Sequence, residues 1–302
     1  MYYPLFFSID REIYEIKGPS YLCDEIKREE DKNYVAKELL ELINYLPKRI
    51  FKNKVILDFG CGSGASTIIL ARALPESKII ALDTNKKLLE IANHRADFYN
   101  LKNIDFLLST NKDDGTPSQL EKFDIVIFNA VIEHLTPQER VSILTNIWHK
   151  LHEKGLIIIN ETPNRLSPFE THTTNLPFIN YLPNKLAYYI ANKFSKNLSK
   201  NYSWEELLKN GIRGTTIKEI FKIINSNSKH HPKFVSFPTS NLNNSEEDFE
   251  MILDLMNQMY GAFSIRFLYG FLYAYLYPIF NKITKNLFQH SLKLIIMKTN
   301  LN

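Results

Sequence analysis

Val55-Ile56-Leu57-Asp58-Phe59-Gly60-Cys61-Gly62-Ser63-Gly64 is the stretch that decides the fold. An apolar run meets an acidic residue and then three alternating glycines, and Ala65-Ser66-Thr67-Ile68-Ile69-Leu70 continues as the start of a helix. Glycine in such a turn permits positive φ and lets a ligand approach with no Cβ in the way. The first amides of the helix then face that ligand. A second apolar run, Lys78-Ile79-Ile80-Ala81-Leu82, closes on Asp83. That acid follows the glycines by roughly 20 residues, the distance at which an α/β nucleotide site sets a carboxylate against ribose hydroxyls.

The glycine loop alone does not choose the ligand, because Gly60-x-Gly62-x-x-Ala65 also satisfies the loose dinucleotide fingerprint. Asp58 tilts the choice. A carboxylate two residues before the first glycine suits a cofactor with a cationic amino-acid tail, and it would repel a pyrophosphate. Phe123-Asp124-Ile125-Val126-Ile127-Phe128-Asn129-Ala130-Val131-Ile132-Glu133-His134-Leu135 then reads as a buried strand entering a polar loop. Leu151-His152-Glu153-Lys154-Gly155-Leu156-Ile157-Ile158-Ile159-Asn160 reads as helix end, glycine turn and strand.

In this order the segments resemble the class I S-adenosylmethionine-dependent methyltransferases, in the subgroup whose fourth strand ends in Glu-His-Leu and which act on small-molecule or lipid-type acceptors. Val55 to Gly64 is similar to the family's first motif, Ala81-Leu82-Asp83 to its second, Phe123 to Leu135 to its fourth strand, and Gly155 to Asn164 to the strand after a leading glycine. The resemblance implies S-adenosyl-L-methionine as cofactor. It implies that Gly60, Cys61, Gly62 and Gly64 pass close to the methionine and ribose portions, and that Asp58 orders the loop and the amino end. Asp83 would accept from the ribose hydroxyls with Thr84 beside it, and Asn129 and Ala130 would supply backbone beneath the methionine. Where the family often carries an acid near the adenine amino group, this chain reads Phe106-Leu107-Leu108-Ser109-Thr110, so Ser109 or Thr110 takes that place as a hydroxyl acceptor.

Strands alternate with helices from Lys54 to Glu161, which argues for a parallel sheet covered on both faces. The expected fold is α/β, a Rossmann-like doubly wound and mostly parallel sheet of the seven-stranded methyltransferase type. Val35, Leu39, Leu42, Ile43 and Leu46 recur at helical spacing before Pro47, so residues 1–47 read as a helical N-terminal cap. Residues 48–165 read as the cofactor-binding core. Residues 166–302 read as helical insertions forming a substrate lid, together with the last helix at Thr215–Ile224 and the last strands at Lys233–Phe237 and Ser291–Lys298.

At 302 residues the chain buries a large core, and a net charge of +4 with no dense Lys/Arg run gives no argument for nucleic acid. Cys23 and Cys61 are the only cysteines, and pairing Cys61 would disturb the glycine loop, so a reducing compartment, the cytoplasm, is expected. The start, Met1-Tyr2-Tyr3-Pro4-Leu5-Phe6-Phe7, has no basic leader and does not read as a signal peptide. The aromatic run from Phe267 to Phe280, bracketed by Arg266 and Lys282, is shorter than the roughly 20 residues a spanning helix needs. It reads as a buried or pocket-lining helix, as a peripheral membrane contact over residues 266–282, or as a partner surface.

Methyl transfer from a sulfonium needs chiefly positioning, and an oxygen acceptor also needs its proton removed. His134, on the loop after the fourth strand, is the first candidate base, set against a histidine that only packs under the loop. The second lies in the polar, proline-stiffened segment Asn160 to Phe178. There Glu170 and His172 share one face of an extended chain, as a carboxylate-oriented base or as residues of a solvated loop. Some family members hold a divalent ion with a Glu three before the Glu-His dipeptide. Ala130 stands there, so no metal is expected, although Glu133, His134, Glu170 and His172 remain as possible ligands. His230-His231 reads as a solvated turn.

The leading reading is methyl transfer from S-adenosylmethionine, at oxygen, to a small or lipid-like acceptor. The alternatives are a cofactor-binding partner or scaffold without turnover, and an NAD(P)-dependent oxidoreductase, which Asp58 disfavours.

Overall fold

The computed structural model describes residues 11–109 without 12, 17 and 31–34, then 116–117, 120–226 without 168, 231–236 and 291–299. Before the sheet come α1 (Pro19–Glu30) and α2 (Val35–Tyr45). The alternation follows: β1 (Val55–Phe59), α3 (Ala65–Ala73), β2 (Lys78–Asp83), α4 (Lys86–Phe98), β3 (Ile104–Leu108), β4 (Phe123–Asn129), α5 (Pro137–Lys150) and β5 (Leu151–Pro163). Next come the short strands β6 (Phe169–Glu170) and β7 (Leu176–Pro177), α6 (Asn184–Phe194), α7 (Trp204–Lys209) and α8 (Ile217–Ser226), and last β8 (His231–Ser236) and β9 (Ser291–Thr299).

The main sheet is seven-stranded, in the order β3-β2-β1-β4-β5-β9-β8. β1 pairs in parallel with β2 and β4, β2 with β3, and β4 with β5, while β9 runs antiparallel to both β5 and β8. The chain order reverses between β1 and β4, and the carboxyl ends of those two strands open the crevice in which such sheets hold ligands.

The strand sequences are apolar nearly throughout because both faces are covered. Alternate residues go to opposite layers. Leu57, Val126, Phe128, Ile157, Ile159, Leu294 and Ile296 pack with Ile143, Leu144, Ile147 and Trp148 of α5 and Ile217, Ile220, Ile223 and Ile224 of α8. Ile56, Ile125, Ile127, Ile158 and Ile295 face the other way, against Leu39, Leu42 and Ile43 of α2 and Leu70 and Ala71 of α3. Helix starts are marked by local chemistry. Asn85 caps α4 by accepting from the amides of Lys87 and Leu88, and Thr136 and Glu139 form a reciprocal capping box before Pro137. Lys298 carries its ammonium into the core, where Nζ donates to the carbonyls of Trp148 at 2.7 Å and Leu151 at 2.8 Å, tying β9 to the end of α5.

The expected class, sheet and order of elements are found. Three local expectations change. Gly155 is not a turn between helix and strand: β5 starts at Leu151, and Lys154 at φ 62° makes an irregularity inside it, where the pairing with β4 shifts register. His231 is not in a turn but opens β8 opposite Thr299, and His230 lies outside the described residues. The segment 169–177 is a tight two-stranded hairpin, where an extended segment was expected. The aromatic run 267–280 also lies outside the described residues. Among the described residues no helix is long and apolar enough to cross a membrane.

Candidate active site

A cavity of about 510 Å³ opens at the carboxyl ends of β1 and β4. Gly60, Cys61, Gly62, Asp83, Thr84, Ser109, Asn129 and Ala130 line it. The turn that builds it is specific. The amides of Gly60 and Cys61 both donate to the carbonyl of Leu82, at 2.8 and 2.9 Å, which brings the loop across the end of β2. Gly60 sits at φ 75°, and a Cβ there would lie 2.8 Å from Cγ2 of Val131. Gly62 sits at φ 56°, and its amide donates to Oδ2 of Asp83 at 2.8 Å. Oδ1 of Asp83 accepts from the amide of Asn85 at 2.8 Å. Each oxygen keeps a further lone pair, so Asp83 remains able to accept from a ligand while its carboxylate is fixed from two sides.

Gly64 and Asp58 stand behind the cavity wall. Gly64 caps α3 at φ 87°, does not line the cavity, and would place a Cβ 2.7 Å from Cβ of Ala92. It is glycine so that α3 and α4 can approach. Asp58 is buried behind the loop, where Oδ2 accepts from the hydroxyls of Thr67 at 2.6 Å and Ser66 at 3.3 Å. It orders the first turn of α3 and is absent from the cavity wall. Burial pushes its carboxyl up to about 6, against the lowering effect of the Thr67 and Ser66 bonds and with a small push from Asp83. Burial likewise raises the Cys61 thiol well above its ordinary range, which makes it inert in the loop.

The Asp58 value has a consequence for stability. Because the folded carboxyl titrates near 6 and an unburied one near 3.8, its contribution is full at low pH and is lost as pH rises through about 6. Wild type is expected to lose up to about 3 kcal/mol from this group between about pH 4 and about pH 7. Asp58→Asn should lack that part of the slope. Urea unfolding of both proteins across the window checks it, and parallel pH profiles would refute it.

Two lining residues come from α1 and carry no local signature: Tyr21 and Glu25. Oε2 of Glu25 accepts from the Ser63 hydroxyl and from Nη1 of Arg95 at 2.5 Å, and the same nitrogen donates to the carbonyl of Ser63 at 3.1 Å. Arg95 is wholly buried. The N-terminal helix is thereby tied to the glycine loop through an enclosed ion pair. Thr110 lies outside the described residues, while Ser109 is buried and its amide donates to the carbonyl of Asp83 at 2.8 Å.

The floor beyond β4 is equally fixed. Asn160 Nδ2 donates to Oδ1 of Asn129 at 2.7 Å, Asn129 Nδ2 donates to Oε2 of Glu161 at 3.2 Å, and the amide of Ala130, at φ 54°, donates to the carbonyl of Asn160 at 2.9 Å.

Next to this floor the structure brings His134 and His172 together, with ring centroids 5.3 Å apart, and both line the cavity. Glu170 is not their partner. Its Oε1 accepts from the amides of His172 at 2.9 Å and Thr173 at 2.8 Å, and its Oε2 accepts from the amide and hydroxyl of Thr174, both at 2.6 Å. With four donors on two oxygens, that carboxylate holds the hairpin turn and has no lone pair left for the imidazole. The carboxylate between the histidines is Glu133. Its Oε1 lies 3.9 Å from Nε2 of His134 and 3.9 Å from Nε2 of His172. Thr162 donates to its other oxygen at 3.1 Å. Burial pushes the Glu133 carboxyl up to about 8, outweighing its hydrogen bonds.

A family model described as "Methyltransferase domain" matches residues 50–230. A carboxy-S-adenosyl-L-methionine synthase of Psychromonas ingrahamii is 30% identical over 112 residues, covering 36% of this chain and 45% of that protein. A demethylmenaquinone methyltransferase of Lactococcus lactis is 28% identical over 169 residues, covering 55% of this chain and 63% of that protein. The chain thus spans about half the length of the curated relatives it matches. Among solved structures, plantazolicin methyltransferase BpumL in complex with a triazolic desmethylPZN analog and SAH superposes with a TM-score of 0.51 over 97% of this chain and 98% of that one, at 14% identity. That likeness speaks for the fold. With the family match covering the core, the glycine turn and the sheet order, the chain belongs to the methyltransferase-domain family, among the class I S-adenosylmethionine-dependent methyltransferases.

Proposed function

We propose that this chain transfers the methyl group of S-adenosylmethionine to an oxygen of a small or lipid-like acceptor. The observation that carries the reading is one cavity lined both by Gly60, Gly62 and Asp83 and by His134 and His172. The glycine turn fits the cofactor: Gly60 and Gly62 line the cavity at positive φ, bringing backbone without side chains to its wall beside the Asp83 carboxylate. When bound, S-adenosylmethionine supplies an activated methyl, and the oxygen–methyl bond forms as the methyl–sulfur bond breaks, leaving S-adenosylhomocysteine. The chain's own residues do the rest. Asp83 orients the ribose, the Asn129–Ala130 loop supports the methionine, and the histidine end takes the acceptor's hydroxyl proton. Holding two atoms in line contributes about 7–11 kcal/mol in well-oriented systems.

The segment from Leu166 to Arg213 delivers His172 to the cavity wall, which supports reading it as part of a lid. An apolar acceptor is favoured by the aromatic run 267–280 and by the name of the Lactococcus relative. Tritium transfer from methyl-labelled cofactor into a cell extract tests the reading. Label in an organic-extractable, base-stable ether supports it. Cofactor binding with no incorporation would favour a non-catalytic binding protein, and label in an amine would contradict oxygen transfer. Asp83→Ala should weaken S-adenosylhomocysteine binding by about 1–3 kcal/mol, the scale of a lost charged hydrogen bond; unchanged affinity in calorimetry would remove Asp83 from that role.

A further inference from the structure

We propose that Glu133, His134 and His172 hold a divalent first-row cation, zinc above all, at the acceptor end of the cavity. Their ligand atoms lie within 4.8 Å of one another. The tautomers follow from the backbone. Nδ1 of His134 lies 2.7 Å from the carbonyl of Lys209, and Nδ1 of His172 lies 3.1 Å from the carbonyl of Asn210. A carbonyl only accepts, so Nδ1 of each ring donates, and Nε2 is the atom that each ring can offer to a metal. Those two nitrogens and Oε1 of Glu133 converge.

Two ring nitrogens and a carboxyl oxygen lie where one cation could touch all three. Oε1 is buried and has no hydrogen-bond partner among the described residues. At 3.9 Å its separations from both Nε2 atoms are too long for hydrogen bonds. They are close to what one ion needs, since two ligands at about 2.05 Å in a tetrahedral shell stand about 3.3 Å apart.

The surroundings are those of a built site. Every ligand has an outer partner fixing its orientation: Thr162 on Glu133, and the consecutive carbonyls of Lys209 and Asn210 on the two rings. Gly211, at φ 92°, lets the His172 ring reach its place, because a Cβ there would lie 2.7 Å from Nδ1. Two imidazoles and one carboxylate with an open position form a donor set that suits zinc or iron(II) and not magnesium or calcium. The absence of a fourth protein ligand, where Ala130 stands, leaves room for an acceptor oxygen. This rests on the reading above and refines its proton step: with both Nε2 atoms on the ion, a hydroxyl bound there would be acidified and would give its proton to water, the rings acting through the ion.

Zinc content, measured on chelator-stripped protein after re-equilibration with zinc and without any cofactor, tests the site independently of methyl transfer. One equivalent is expected in wild type. His172→Ala and His134→Ala, at partly exposed positions, should each weaken zinc affinity by more than the about 10–100-fold that loss of an outer partner costs. Cobalt(II) added to wild type should give the visible bands of a low-symmetry site, a readout that needs no variant. Zinc uptake near zero, uptake equal in wild type and both variants, or only the spectrum of hydrated cobalt would overturn the proposal. A metal-loaded protein that transfers no methyl would sink the oxygen-transfer reading and leave the site standing.

Discussion

Glu25→Ala should destabilise the protein by about 3–5 kcal/mol, the cost of leaving a buried charge without its partner. Arg95 is wholly enclosed, and Oε2 of Glu25 is the carboxylate oxygen on its Nη1 at 2.5 Å. The same oxygen receives the Ser63 hydroxyl, so the loss also releases the glycine loop from α1. Two readouts should therefore move together: the urea midpoint falls, and S-adenosylhomocysteine affinity falls because Tyr21 and Glu25 leave the cavity wall. Glu25→Gln keeps an acceptor for both donors and should lose less. A Glu25→Ala protein within about 1 kcal/mol of wild type would show that Arg95 finds other compensation.

His172→Ala should lower turnover by about 10²–10⁴-fold, the range for losing assisted removal of the acceptor's proton, which the ring serves at that wall of the cavity. Its ring lies beside His134 on the cavity wall, and its hydrogen bonds go to Thr173 and Asn210, not to the glycine turn. Affinity for S-adenosylhomocysteine should therefore stay within about twofold while the rate collapses, the pattern of an interaction made only in the transition state. Steady-state label transfer with matched calorimetry separates the two. Full turnover in the variant would remove His172 from the chemistry.

The sheet was legible because its signals are local. Val55 to Phe59 is apolar over a length suited to a buried strand, Gly60 to Gly64 can only be a turn, and Asp83 ends the next run at the spacing a ribose site requires. The alternation of Ile56 and Leu57 between two core layers needs both faces covered, as strands interleaved with helices imply. What local reading misses is pairing across long separations. Glu25 meets Arg95 across 70 positions, and nothing near either residue announces the other. His231 reads as a turn beside Pro232 until β9, some sixty residues on, supplies Thr299 as its neighbour.

The carboxylate at the histidines is the sharpest case. Glu170 stands two residues before His172 and looks like its partner, provided that the chain is extended. Thr173 and Thr174 instead offer two amides and a hydroxyl within reach of that carboxylate, and local donors win over a ring that must turn back to meet it. Glu133 takes the place because the β4 and β5 loops bring it beneath both rings, with Thr162 fixing its far oxygen.

The glycine turn as a cradle for a sulfonium nucleoside is the claim on which the rest depends, and calorimetry tests it directly. Purified protein titrated with S-adenosylhomocysteine should bind one equivalent, while NAD should give no heat above dilution. Saturable NAD binding without a response to S-adenosylhomocysteine would contradict the account.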